Sequence, residues 1–469
     1  MKTQTETGSA PGMFRTALAA AAFSAAFLLS LLFWKERAGY MDVAFQTFEM
    51  ARSGVPAIQV YRFGALMTQI FPLTAIWLKA PLAVVGMSYS AGVVLYQLLL
   101  FAYLWFKVRK PAWTLVYLIS LCAITSHMFF WIQSEFSQSL PFLIVLMARL
   151  SGGGSGWFYH GLNTLMVATL VFFHPLSYPV WVLCTLLLYA SAGSKMNLKP
   201  MGLWLLAGAV LYGVKRYGFD NWYDHEAHGR VERIWQAFPN IGTDSMRQFF
   251  GLSKSLYAGI WALLAALLFI VWRDRRWFPG ILALLVLGGY FLLIHGSHPE
   301  AEPFYLENFC LAMPLLLSIP IVFARGGEVV PAGLWMLAGA LALAFMVRVS
   351  VLAGEYRTRQ DLYRQLVHDF EGQKVILSEQ QCRDLPFIMS WPSAYEIWFL
   401  SQIEQGKTAQ VFISDDPGKY RDYLQERSSF FGLQIYPYRE LPKRYFSLND
   451  TAQAYHTLSD DEVRKLRTH

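Results

Sequence analysis

The sequence predicts an α-helical polytopic membrane protein of about 11 transmembrane helices with a small extracytoplasmic α/β domain at its C-terminus. Three observations carry that reading. The 469 residues are 55% hydrophobic and only 15% charged, with a mean hydropathy of +0.34; a soluble domain carries roughly 25% charge. Apolar runs of membrane-crossing length recur from Met13 to Leu352, and after Gly354 the chain turns charged. The formal charge of +7 does not indicate a nucleic-acid partner, because many basic residues stand at the ends of apolar runs, as a topology signal does. Cys122, Cys184, Cys310 and Cys382 are scattered, without the spacing of a disulfide framework or a zinc site.

At about 20 apolar residues per crossing, spans fall near 13–34, 87–106, 112–126, 137–150, 157–173, 176–192, 200–214, 255–272, 278–295, 304–324 and 331–352. The first is too long for a signal-peptide core and runs into Lys35-Glu36-Arg37, the pattern of an uncleaved anchor. With the N-terminus cytoplasmic, the inner loops and their edges hold Lys107, Arg109, Lys110, Arg149, Lys195, Lys199, Arg273, Arg275, Arg276 and Arg325. The short alternate loops carry no Lys or Arg, which favours that orientation. It also requires that 63–85, broken by Pro72, Lys79 and Pro81, be partly embedded rather than a further crossing. Residues 1–353 then form a membrane module with outer loops 35–86, 126–136, 215–254 and 296–303, and residues 354–469 an outer domain.

The first outer loop organises the chemistry. On a helix, Asp42, Gln46, Glu49 and Ser53 form one polar stripe, with Met41, Ala44, Phe48 and Ala51 opposite. Such a helix is expected to lie flat at the headgroups until Gly54 and Pro56 stop it. The order Asp42, Glu49-Met50, Gly54, Pro72-Leu73, Trp77 and Gly86 resembles the first extracytoplasmic loop of the GT-C superfamily of membrane glycosyltransferases, particularly bacterial relatives of protein mannosyltransferases and aminoarabinose transferases. The chain departs from it at Val43, where the second acid of an Asp-Glu pair would stand, and at Ile70-Phe71-Pro72-Leu73, which replaces Lys-Pro-Pro-Leu.

The resemblance implies a GT-C-like fold in a bacterial inner membrane and a sugar donor carried on a polyprenyl phosphate. It implies Asp42 as the base that deprotonates a lipid, glycan or protein acceptor, with inversion at the anomeric carbon. A carboxylate at a partly dehydrated rim can have the raised pKa that such a base needs. Glu135, at the outer end of the fourth span, is the candidate second acid or metal ligand. Arg62, Lys79, Arg216 and Arg230 are candidates for the donor phosphate, and Arg233 lies in the same stretch. Glu49, Tyr61, Tyr305 and Glu307 are candidates for substrate contact, and Glu49 also has Arg52 or Arg62 as an ion-pair partner within reach. The sequence identifies no particular cofactor; a divalent metal is allowed, with His295 and His298 the available imidazoles. His225 and His228 are three apart, whereas a zinc-peptidase helix needs four.

Beyond Gly354 the sequence predicts a helix to about Phe370, strands at 374–379, 409–414 and 433–438, and helices near 392–405 and 417–430, a small mainly parallel α/β domain. Two rivals remain open: a polymerase or ligase moving glycans from a lipid pyrophosphate, and a lipid or glycan flippase. A flippase should show paired repeats and broken helices at mid-membrane depth. The polar residues of this chain gather instead at one face.

Overall fold

The computed structural model describes residues 10–192, 199–219, 221–232, 234–237, 241–324, 330–382, 389–448 and 453–458. Lys195, Arg233, Arg325 and the side chain of His228 lie outside the described residues. The chain opens with α1 (Ala10–Leu32), α2 (Trp34–Ala38), α3 (Met41–Ser53), α4 (Leu66–Trp77) and α5 (Leu82–Tyr103). Next come α6 (Pro111–Cys122), α7 (His127–Phe130), α8 (Glu135–Leu150), α9 (Trp157–Val171), α10 (Ser177–Ala192) and α11 (Lys199–Gly218). They are followed by α12 (Trp222–Glu232), α13 (Ile234–Ala237), α14 (Asp244–Leu252), α15 (Ala258–Asp274) and α16 (Trp277–Ser297). Finally α17 (Pro303–Cys310), α18 (Ala312–Phe323) and α19 (Ala332–Asp369) lead into the C-terminal domain, whose helix is α20 (Ser393–Gln405).

Every apolar run read from the sequence is helical. Among the described residues, five stretches are long and apolar enough to cross a bilayer: Gly12–Leu32, Leu82–Val108, Trp277–Ser297, Pro303–Phe323 and Ala332–Asp369. The other runs fold as shorter or more polar helices. The chain is a mainly helical protein of membrane character built around α18, whose twelve residues are all buried. A helix apolar on every side belongs at the centre of a bundle, and α6, α10, α15 and α16 surround it.

At one end of the bundle, Lys110 reaches Ser151 (2.9 Å), Arg149 reaches Asn163 (3.1 Å) and Arg276 reaches the carbonyl of Ser191 (3.0 Å). The loops on either side of α2 to α4, the 124–134 segment, α12 to α14 and the start of α17 close the other end. The α4 helix, 12 residues long, runs through Pro72 without stopping and packs back on α5. At 1.5 Å per residue it is about 18 Å long, too short to cross, as a partly embedded segment should be.

The α3 helix departs from the expected flat interfacial placement. It ends at Gly54, φ +71°, as anticipated, but its apolar face covers protein rather than lipid. The ring of Phe48 lies 4.9 Å from those of Tyr395 and Tyr436, 5.0 Å from Phe446, 5.2 Å from Trp398 and 5.3 Å from Phe430. Its polar stripe is solvated only at its end, where Ser53 is exposed; Gln46 is buried and takes hydrogen bonds from Gln69 (2.9 Å) and Tyr89 (2.6 Å). The C-terminal residues therefore share one core with α3, and 353/354 falls inside the continuous helix α19.

That domain holds a parallel sheet ordered β2 (Gln410–Ser414), β1 (Lys374–Ser378), β5 (His456–Thr457), with Val375 opposite both Val411 and His456. The helix expected at 417–430 is instead a 3-10 turn over Pro417–Tyr423 followed by β3 (Ser429–Phe431), which pairs antiparallel with β4 (Ile435–Pro437). Asp416 caps the turn by accepting the Gly418 N–H at 3.0 Å, the structural role that an acid after a strand suggests.

Candidate functional site

Asp42 is the second residue of α3, and its Oδ2 accepts the indole N–H of Trp131 at 3.0 Å. A helix N-terminus ordinarily favours a charged carboxylate. Here burial outweighs it: desolvation, helped by the charge of Glu135, raises the pKa to about 6 against the Trp131 hydrogen bond and the Arg62 cation. Trp131 in turn packs on Phe304 and Tyr305 at ring distances of 5.2 and 5.4 Å, joining the acid to the start of α17.

Arg62 is the centre of a second group. Val60 and Tyr61 precede it in the left-handed region, at φ +42° and +58°, a conformation that costs a non-glycine residue about 1 kcal/mol or more. The two turns expose the Tyr61 ring, which meets Phe219 at 5.5 Å, and send Arg62 inward to 8% exposure. Just beyond, Gly64 donates to the Phe172 carbonyl, and a Cβ there would sit 2.2 Å from the Phe173 ring, so only glycine permits the approach. The Arg62 guanidinium bonds Glu135 at 3.1 Å, faces Asp224 at 3.8 Å and lies 4.6 Å over the Tyr223 ring. Burial acts to lower its pKa, but Glu135, Tyr223 and Asp224 hold it above its ordinary value. Its Nε and Nη2 are buried with no hydrogen-bond partner among the described residues, donors that a ligand oxygen would satisfy.

Arg62 is one wall of a cavity of about 250 Å³ that it shares with Arg230, His298, Tyr305 and the apolar Leu176, Leu293 and Phe309; Glu226, also in the wall, pairs with Arg230 at 2.5 Å. Burial lowers the pKa of His298 to about 4, leaving a neutral imidazole. A cavity wall that combines two guanidinium groups with apolar side chains suits an amphipathic anion, a phosphate with a hydrocarbon tail.

Asp42, Glu135 and Arg62 thus stand together, Arg62 shares a cavity wall with Arg230, Tyr305 and His298, and the remaining candidates lie elsewhere. Arg216 is exposed; its neighbour Lys215 is the buried cation, 3.9 Å from Asp224. Lys79 is exposed beyond the far end of α4 from Arg62. Glu49 pairs with Arg52 at 2.7 Å beside the C-terminal domain, one of the two pairings its position allowed. Tyr61 points outward, 43% exposed. Glu307 is buried and accepts the backbone N–H groups of Ser126 and His127, which fixes the 124–134 segment and makes it a structural acid. His295 meets Ser245 Oγ at 2.9 Å, and His298 packs 4.4 Å from the Phe309 ring. Among the described residues no three His, Cys, Asp or Glu side chains gather as a metal site.

Lys215, Tyr223, Asp224 and Trp131 were not singled out from the sequence. Lys215 sits beside Arg216 with identical local chemistry, and only its helical phase, one residue earlier, turns it inward. No family model matches the chain, and neither does any curated protein or solved structure.

Proposed function

We propose that this protein is a GT-C-like integral membrane glycosyltransferase of about 11 crossings that moves a sugar from a polyprenyl-phosphate donor to an acceptor hydroxyl on the extracytoplasmic face of a bacterial inner membrane. The observation that carries the reading is a half-buried carboxylate poised near neutrality, Asp42, within electrostatic reach of the buried Arg62 guanidinium, which forms part of the wall of a part-apolar cavity. The donor tail lies against Leu293 and Phe309, and its phosphate faces Arg62 and Arg230, the two guanidinium groups of the cavity wall. Asp42 accepts the proton of the acceptor hydroxyl as that oxygen attacks the anomeric carbon from the face opposite the phosphate. The bond from the anomeric carbon to the phosphate oxygen breaks, its electron pair leaves with the polyprenyl phosphate, and the configuration inverts. The cations stabilise the charge that grows on the leaving oxygen. Glu135 holds Arg62 in place and raises the basicity of Asp42 through its own charge.

Asp42→Asn keeps an acceptor for the Trp131 N–H and removes the base. Loss of a general base costs about 10²–10⁴-fold, so purified Asp42→Asn in lipid nanodiscs should lose transfer at least a hundredfold while eluting as the native protein does. Wild-type turnover by that variant removes Asp42 from the mechanism.

A further inference from the structure

The N-terminus of α3 has no side-chain cap of its own: Tyr40, at the capping position, makes none. Unsatisfied first-turn N–H groups are costly when buried. The donor exposed by the sharp entry into the helix is the N–H of Met41, a non-glycine residue at φ +42°. Its partner comes from far away in the chain, for Glu396 of α20 accepts it through Oε1 at 2.7 Å.

Glu396 is itself fixed. Arg359, near the end of α19, reaches its two oxygens from Nε (2.9 Å) and Nη2 (3.2 Å), and both side chains are at most 2% exposed. The Arg359 guanidinium also lies 5.5 Å over the Tyr40 ring, which packs edge-on against Tyr356 at 4.9 Å. A buried ion pair is poor value as a stabilising device, since desolvation offsets much of its attraction and apolar replacements are often neutral. What this pair does that apolar side chains cannot is hold a backbone N–H one residue before Asp42.

We propose that Glu396, fixed by Arg359, is a positioning residue that sets the first turn of α3 and so aims the Asp42 carboxylate, making the C-terminal domain part of the catalytic assembly. The assignment rests on the reading of Asp42 as the base. The domain thereby acquires a hold on the reaction: alongside the packing of Phe48 on Tyr395 and Trp398, a displacement of α20 reaches the first turn of α3 through this hydrogen bond.

Two double variants separate positioning from stability. Arg359→Leu with Glu396→Leu removes both charges and the acceptor, whereas Arg359→Leu with Glu396→Gln removes both charges and keeps an acceptor for the Met41 N–H. Misplacing a reacting group by about 1 Å costs on the order of a hundredfold in rate. The Leu/Gln protein should therefore exceed the Leu/Leu protein at least tenfold in kcat, with donor KM equal within about twofold. Hydrogen exchange of the peptide covering 40–47, which needs no transfer assay, should be faster in Leu/Leu than in Leu/Gln. Equal exchange, or unequal exchange with equal kcat, overturns the assignment. If the wild-type protein transfers no sugar while the exchange difference persists, the proposed function fails and the tether stands.

Discussion

A carboxylate held above its ordinary pKa is a cost that the fold carries. Asp42 is raised from 3.8 to about 6 by burial first and by Glu135 second, and it faces Trp131 of the 124–134 segment, Arg62 of the 54–65 loop and Glu396 of α20. Because the folded value exceeds the unfolded one, its contribution to stability is fully present below about pH 4 and is lost as pH rises through about 6. Above that, the buried charge destabilises by an amount on the order of 2 kcal/mol. Asp42→Asn should thus melt several degrees higher than wild type at pH 7.5, with the gap closing toward pH 4. Identical melting at both pH values would refute the burial argument. The activity follows the opposite sense: the base works deprotonated, so wild-type transfer should climb through about pH 6 and level off above it.

At the scale of the element, α3 links the membrane bundle to the α/β domain, and Phe48 is its anchor. The ring sits among Tyr395, Trp398, Phe430, Tyr436 and Phe446, a cluster that does not collapse easily when one member is cut away. Phe48→Ala should cost about 3–5 kcal/mol and show as a lower melting temperature with faster proteolysis between α19 and α20. A melting temperature unchanged within a degree would mean the domain is held elsewhere. Sequence pattern placed the C-terminal end of α3 correctly, because Gly54 is a local signal, and it placed the end of α19 and the bounds of β1, α20 and β2 within a residue or two. It misjudged what covers α3: an apolar stripe looks the same whether lipid or Phe430 lies against it. For the same reason it set a boundary at 353/354, where hydropathy changes but the helix does not.

At the scale of the whole molecule, Asp42, marked by its place on the α3 stripe and by the resemblance, and Glu135, marked by the resemblance, come to one cluster with Arg62, whereas Arg216, Lys79 and Glu49, marked in the same way, lie apart from it. Lys215 and Asp224 were out of reach, since their inward direction depends on how α11 and α12 pack against the 54–65 loop. The same packing separates two ends of the bundle, one with Lys110, Arg149 and Arg276, the other with the cavity and the α/β domain. Basic residues favour the cytoplasmic side, so the cavity should face outward. All four native cysteines are buried, which leaves a quiet background for labelling in intact cells. Lys419→Cys, on an exposed turn of the C-terminal domain, should react with a membrane-impermeant maleimide without permeabilisation, and Lys107→Cys, exposed at the opposite end, only after it. The reverse pattern would turn Asp42 toward the cytosol. An outward-facing donor site would then be impossible, and the proposed transfer would have to be rebuilt around a substrate presented from inside the cell.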